Sequence, residues 1–545
     1  MSHTDRHGRL ARTTLALSTL TALALLAGCS TPSPSPTARA GTWVTTTPAA
    51  KKAVDSVTWN LILEPASLDP ALSNNYPENT VLSNVCESLL KMEPDFSIND
   101  GLASLTANGD HTVLTLDINP AATFSDGKPV TGEDAAYSLT RNWMPAVTSY
   151  WSSYFGAVTG ITATGERQVT ITLSHADLLF EELLATAAGA VYEKAQVEAS
   201  GEKFGTASAP PTCSGPYKIT EWKQGSELTI QKNDAYWKGD HALVSNIVFT
   251  FLQGDATQTT AMTGDAVQGM YNPPFTALDR LSSHGQVFDG KSLLTFYVTP
   301  TPKKGPLQDS RIRQALFLAL DRSAVAKTAF GGAAVAAQSL LPSSAYDGAK
   351  PTISESTGGS DTDLELARKL VRDAGSPKQK IVIAAFTGIT ESMNQTLQAL
   401  VEAGTKIGLN IQFKSITEAD YYALFSGPKG WRQSNADAFG LQDYLPVADP
   451  FGLYSRWGTV DNEENYGAFV DKKLSAQIAT AGATADTTTR NHLLSSLDAD
   501  LYKKMPWIPI VNVSNVLYMQ TGLTGPPASF VDLFYPWAAD LGATG

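Results

Sequence analysis

Apolar and polar positions alternate along Val57-Thr-Trp-Asn-Leu61 and continue apolar through Ile62 and Leu63, which reads as a β-strand, whereas Asn79–Lys91 repeats its apolar residues at helical spacing. Strand-like runs follow at Thr112–Ile118, Gln168–Leu173, Glu227–Lys232 and Asn246–Leu252, with short helical stretches such as Thr131–Trp143 between them. Gly, Pro and Asn punctuate the joins. Beyond Pro306 the pattern becomes a regular alternation. Asp309–Phe330 and Asp361–Ala374 read as helices, Lys380–Phe386 as a strand, Ser392–Ile407 as a helix and Asn410–Ser415 as a strand. This predicts an α/β second half and a mixed α+β first half, with no internal repeat.

The N-terminus follows a different rule. Arg6, Arg9 and Arg12 precede an apolar run from Leu15 to Ala27, too short to span about 30 Å of hydrocarbon, which reads as the core of a secretory signal. It ends in Leu26-Ala27-Gly28-Cys29, which resembles the bacterial lipobox, in which the cysteine is lipid-modified and becomes the first residue after cleavage. Residues 1–28 are then the signal peptide. Residues 29–53, rich in Ser, Thr and Pro, read as an extended tether to the extracytoplasmic face of the cell membrane.

Composition narrows the function classes. The chain has 545 residues, 43% hydrophobic and 17% charged, too apolar for disorder and too long for one core. Its 40 basic against 53 acidic residues give a net charge of −13, which argues against a nucleic-acid partner and leaves the lipid anchor as the only membrane contact. Once the signal is removed, no two of His111, His175, His241, His284 and His492 have metal-ligand spacing, so no metal or cofactor is expected. Gly285-Gln-Val-Phe-Asp-Gly290-Lys291-Ser292 satisfies a phosphate-loop pattern, but a β-type run follows where a helix is required, so it reads as a surface turn. No nucleophile elbow or nucleophile–base pair appears, and the chain reads as a non-enzyme. Cys86 and Cys213, left over after Cys29, are either a disulfide or two buried thiols.

Several segments in order resemble the family 5 solute-binding proteins of ABC importers, the oligopeptide- and dipeptide-binding proteins. They are Glu64-Pro-Ala-Ser-Leu-Asp-Pro-Ala71; Phe124-Ser-Asp-Gly-Lys-Pro-Val-Thr131 with Glu133-Asp134; and Ser214-Gly-Pro-Tyr-Lys218 with Glu221-Trp222 and Asn233-Asp-Ala-Tyr-Trp237. Asp309-Ser-Arg-Ile-Arg-Gln-Ala315 with Leu320-Asp-Arg322, Leu366-Ala-Arg-Lys-Leu370, Ala374-Gly375, Asp449-Pro450 and Met505-Pro-Trp-Ile-Pro509 continue the series. The resemblance implies a two-lobed clamp with an extra subdomain in the first lobe and two β crossovers as hinge. Lobe I would be 54–293, with the subdomain at about 96–205, lobe II 294–512, and 513–545 a return to lobe I, with crossovers near Thr295–Thr299 and Ile508–Ser514.

The same resemblance implies a monomeric receptor that encloses a peptide or other small solute and presents it to an ABC importer permease pair. Ligand contacts are then expected from Asn74, Asn75 and Tyr76, from Tyr271 and Asn272, from Phe296 and Tyr297, and from Trp431 and Arg432. Peptide binders of this family carry an aspartate before the Asp-Pro pair that holds the ligand's ammonium. Without a gap that place falls on Pro446; with a local shift Asp443-Tyr444 serves. In the first case the ligand is N-blocked, uncharged or not a peptide. A nickel chelate, an oligosaccharide or an opine is the alternative within the fold, and a regulatory cell-envelope lipoprotein the alternative outside transport.

Overall fold

Val54–Asn60 is a strand in which four of seven residues, Val54, Val57, Thr58 and Trp59, are β-branched or aromatic, and it sits inside a sheet, parallel to Val244–Thr250 and to Gly269–Tyr271. In this computed structural model the described residues are 43–73, 75–239, 242–346, 362–386, 390–417, 419–421, 435–459, 465, 467 and 469–545. The signal segment and Cys29 lie outside them. The main sheet has eleven strands. From one edge it runs Asn410–Ser415, Lys380–Ala385, Ala438–Tyr444, Gly285–Pro300, Ile508–Gln520, Gly269–Tyr271, Val54–Asn60, Val244–Thr250, Glu227–Lys232 and Tyr217–Lys223, and Ala334–Ala336 pairs with Ile508–Gln520 off this path.

Two long strands hold this sheet together. Gly285–Pro300 and Ile508–Gln520 pair antiparallel, but their register shifts between Gly290 and Leu294. On one side of the break Ile508–Gln520 also carries Gly269–Tyr271; on the other, Gly285–Pro300 carries Ala438–Tyr444. Gly290 permits the close approach of the C-terminal segment, since a Cβ there would stand 1.8 Å from the Ala528 carbonyl oxygen. A separate four-stranded antiparallel sheet, Ala103–Ala107, Val113–Ile118, Gln168–Leu173 and Val158–Gly165, packs with the helix Gly132–Trp143. That helix starts at a reciprocal cap: Thr131 Oγ1 accepts from the Asp134 amide at 3.1 Å, and Asp134 Oδ2 accepts from the Thr131 amide at 3.1 Å.

Several expectations need correction. The expected strand Val57–Leu63 lies three residues early, because its edge is set by pairing with Val244–Thr250 and not by apolarity alone. The expected helix Asn79–Lys91 is Tyr76–Val85, begun by Pro77 in its first turn. After Cys86 the backbone leaves for sheet-like bonds, Leu89 N–H to Gly189 O at 2.9 Å and Leu90 N–H to Leu184 O at 3.0 Å. Asp309–Phe330 is two helices, Ser310–Ala319 and Arg322–Thr328, because Asp321 turns from helix interior to cap and accepts from the Ala324 amide at 2.8 Å. The phosphate-loop match lies within the strand Gly285–Pro300.

The tether reading fails from residue 43 onward. Val44 N–H donates to Asp289 O at 3.0 Å, Lys51 N–H to Ala543 O at 2.9 Å, and Thr47 Oγ1 to Pro526 O at 2.8 Å. Backbone pairing of this kind needs no apolar periodicity, so composition could not register it. Cys86 and Cys213 are joined as a disulfide, with their Cα atoms 4.8 Å apart.

Candidate ligand-binding site

Trp59 begins the site. Its ring is fully buried, 4.4 Å between centroids from Trp537 and 5.4 Å from Tyr271. It packs so closely on the neighbouring strand that a Cβ at Gly269 would stand 2.1 Å from it. The strand carries the chain on through Asn60–Leu63 into the wall of a cavity of about 240 Å³. The helix that follows presents Asn75, Tyr76, Pro77 and Thr80; later segments add Tyr150, Tyr271, Asn272, Phe275 and Tyr297. From the second half of the chain come Thr390, Met393, Tyr421, Leu441–Tyr444 and Arg456. Eight of these described residues are aromatic and two, Asp443 and Arg456, are charged.

The residues expected from sequence are used in different ways. Asn75 lines the cavity, and its side chain does not cap the helix that starts beside it. Tyr76 meets Tyr444 edge-on at 5.8 Å and Phe530 at 6.2 Å. Burial, followed by the nearby Asp532 carboxyl, pushes the Tyr76 phenol well above its ordinary range. Tyr271 offers its ring, because its hydroxyl donates to Pro527 O at 2.9 Å on the far side. Asn272 has a left-handed backbone (φ +50°), and its side chain is spent on the strand Ile508–Gln520. Its Nδ2 donates to Asn515 Oδ1 at 3.1 Å and its Oδ1 accepts from the Val516 amide at 3.1 Å. Both polar atoms of its side chain are therefore bonded to that strand while it lines the cavity.

Phe296 does not line this cavity. Successive strand residues face opposite sides, so Tyr297 lines the cavity while Phe296 is buried in the core, 6.5 Å from the Phe330 ring. Asn74, Trp431 and Arg432 lie outside the described residues. Tyr297 stands edge-on to Trp457 at 4.9 Å, and its hydroxyl donates to Asp443 Oδ2 at 2.9 Å.

Asp443 is heavily bonded. Besides Tyr297, Oδ2 accepts from Arg456 Nη2 at 3.3 Å, and Oδ1 accepts from the Tyr444 amide at 2.8 Å. Arg456 also donates to Tyr444 O at 3.3 Å. Sequence reasoning missed Arg456, Tyr150, Phe275, Met393 and Tyr421, which no local motif marks. Trp59 was visible as an aromatic in a strand, but nothing in the pattern told that it faces a cavity. Among the described residues no group of three or more His, Cys, Asp and Glu side chains could hold a metal ion. The wall offers ring faces, hydroxyls and one ion pair, which suits enclosure of a ligand.

Comparison with known proteins now fits this geometry. Residues 98–465 match the family described as bacterial extracellular solute-binding proteins, family 5. The chain is 25% identical over 499 residues to the periplasmic oligopeptide-binding protein OppA of Salmonella typhimurium, covering 85% of this chain and 88% of that one. A solved structure of AgaA from A. tumefaciens R10 in complex with agropinic acid is similar with a TM-score of 0.79 at 20% identity, over 90% of this chain and 99% of that one. The murein tripeptide-binding protein MppA of Escherichia coli is similar with a TM-score of 0.76 at 20% identity, over 91% and 99%. These structural likenesses establish the two-lobed fold. The chain belongs to family 5 of the bacterial extracellular solute-binding proteins.

Proposed function

We propose that the protein is a non-enzymatic extracytoplasmic receptor that encloses a peptide or peptide-like solute between its lobes and delivers it to the permease pair of an ABC importer. In this reading it acts as a monomer held at the outer face of the cell membrane by acylation of Cys29. The observation that carries the reading is the aromatic cavity, whose wall draws on Trp59 and Tyr76 from the first half of the chain and on Asp443 and Tyr444 from the second. A ligand touching both sets gains contacts only when they are brought together, so binding shifts the population toward the closed form. A permease that recognises that form then distinguishes loaded from empty receptor.

Native mass spectrometry of gently purified protein tests the reading. A co-purified solute that is displaced on unfolding, and that fragments as a peptide or modified peptide, is expected. Protein that carries no solute and is stabilised by no member of a peptide pool would overturn it. The membrane part is tested separately: Cys29→Ala should move processed protein into the soluble fraction, and unchanged detergent-only extraction of that processed variant would remove the lipid anchor from the reading.

A further inference from the structure

A second cavity, of about 200 Å³, lies between the helices Leu178–Leu183 and Phe451–Gly458. Asp177, Leu179 and Phe180 line one side, and Phe451, Ser455 and Arg456 the other. The two sides touch, since a Cβ at Gly452 would stand 3.7 Å from the Leu179 side chain. Each helix starts at a carboxylate: Asp177 Oδ1 accepts from the Phe180 amide at 3.0 Å, and Asp449 Oδ1 from the Phe451 amide at 2.8 Å. Asp449 Oδ2 also accepts from Arg490 Nη2 at 2.6 Å, with both side chains nearly sealed. That guanidinium lies within electrostatic reach of Asp177 and Glu182 as well. Three carboxylates from the two halves of the chain thus converge on one buried arginine. Tyr154, His175 and Arg456 also stand at this seam, as does Glu181. Glu181 Oε1 lies 2.7 Å from His111 Nδ1, and Arg456 is paired with Asp443 at 3.3 Å.

Packing the two sides together takes Asp177 and Glu182 out of water, which is unfavourable for a carboxylate as an anion. Burial raises Asp177 from its ordinary 3.8 to about 6, against the pull of the Phe180 amide and Arg490. Burial, and then the Asp449 charge, raises Glu182 in the same direction, and Arg490 offsets part of this. Taking the receptor reading above as given, we infer that the seam is a proton-linked latch: closing the two halves over a ligand takes up protons from solvent on Asp177 and Glu182, so acid favours the closed, loaded form. The sign follows from linkage. A carboxyl that holds its proton more tightly in the closed form favours closure at low pH, and that help is lost as pH rises through its closed-form value. For Asp177 alone, with the ordinary 3.8 restored on opening, affinity falls about tenfold between pH 5 and pH 7. Glu182 adds to the slope.

Calorimetric titration with the tripeptide Ala-Phe-Ala at pH 5 and pH 7 tests this, because both peptide termini stay largely charged across that window. Wild type is expected to bind at least about tenfold more tightly at pH 5, with a binding heat that depends on the ionisation enthalpy of the buffer. The double variant Asp177→Asn with Glu182→Gln keeps a capping side chain at 177 and cannot ionise at either position. It should bind at pH 7 about as tightly as wild type does at pH 5, with no slope between. A pH-independent affinity in wild type, or the same slope in both proteins, would overturn the latch while leaving the receptor reading intact. If the tripeptide binds at neither pH, small-angle scattering of the unliganded proteins decides. A smaller radius at pH 5 than at pH 7 in wild type alone supports the latch, and any other pattern overturns it.

Discussion

The ring of Tyr76 meets the ring of Tyr444 edge-on, with centroids 5.8 Å apart and planes at 82°. Tyr76 opens the first helix and Tyr444 closes a strand of the second half of the chain, so the pair joins two distant parts of the sequence at the cavity wall. Phe530 of the C-terminal segment completes the group, 6.2 Å from Tyr76 and 5.0 Å from Tyr444. A closing motion would make and break these ring contacts together with those to the ligand.

Replacing Tyr444 with Ala should therefore weaken binding more than it weakens the fold. An aromatic pair contributes about 0.5–1.5 kcal/mol beyond area burial, and two are lost, one edge-on with Tyr76 and one tilted with Phe530. The expected outcome is a loss of roughly tenfold or more in affinity for any ligand, charged or not. Calorimetry measures this, and small-angle scattering of the ligand-bound variant should show a larger radius than wild type. Unchanged affinity would mean that the contact plays no part in closure.

Asp69 predicts a stability effect. It lies in the Ser-Leu-Asp-Pro segment and holds Arg141 in a fork, Oδ1 to Nη1 at 2.8 Å and Oδ2 to Nη2 at 2.6 Å. Both side chains are nearly sealed, at 4% and 9% exposed. Asp69→Ala leaves a guanidinium buried beside Tyr192, so a loss of about 3–5 kcal/mol is expected in chemical denaturation. The double variant Asp69→Leu with Arg141→Met, which removes both charges, should lose less. Equal losses in single and double variants would show that packing, and not charge, sets the cost.

Motif residues such as these were legible through the family resemblance, and part of their work is local. Asp69 also accepts from the Ala71 amide at 3.1 Å, and Asp309 caps a helix through the Arg311 amide at 2.9 Å. Asp449 accepts from the Phe451 amide at 2.8 Å and pairs with Arg490 at 2.6 Å. Caps leave a signature within a few residues, and so do the alternating strands Gln168–Leu173 and Glu227–Lys232, which lie where periodicity predicts them. The cavity wall has no such signature. Its rings come from strand, helix and loop segments spread from Trp59 to Tyr444, and Arg456, the ion-pair partner of Asp443, arrives from the next helix, Phe451–Gly458. Phe296 and Tyr297 are adjacent aromatics, and only the orientation of the strand decides which one faces the cavity.

The disulfide offers a third prediction. Cys86 and Cys213 are 127 residues apart in sequence, and a cross-link closing a loop of that length removes unfolded-state entropy of about 4–5 kcal/mol on the chain-entropy model. Native backbone bonds hold the same region without it: Gly215 N–H donates to Val85 O at 2.8 Å and Ser125 N–H to Cys213 O at 2.8 Å. The variant with both cysteines replaced by Ala should fold and bind ligand with near-normal affinity while melting well below wild type. Adding reductant to wild type should reproduce that melting temperature. A reduced protein as stable as the oxidised one would show that the bond contributes little.

Glu78 sets a pH dependence whose sign can be worked out. It lies in the first turn of the helix Tyr76–Val85, between Pro77 and Thr80 of the cavity wall, and is only 5% exposed. Its Oε1 accepts from the Ala66 amide at 2.9 Å, whereas Oε2 is buried without a hydrogen-bond partner among the described residues. Burial raises its carboxyl from the ordinary 4.5 to about 7, although the bond from Ala66 pulls the other way. The folded protein therefore holds this proton more tightly than the unfolded chain does. Its stabilising effect is complete below about pH 4.5 and is lost as pH rises to about 7. At about 1.4 kcal/mol per pH unit the loss is of order 3 kcal/mol. Buried Asp532 is shifted in the same direction, so part of the slope should survive without Glu78. Glu78→Gln keeps the acceptor for Ala66 and cannot ionise. Its melting temperature should match wild type near pH 4.5, exceed it at pH 8, and fall less steeply between. Superimposable pH–stability profiles for the two proteins would mean that Glu78 is ionised in the native state at an ordinary pH, and that its surroundings hold more water than the packing of this helix provides.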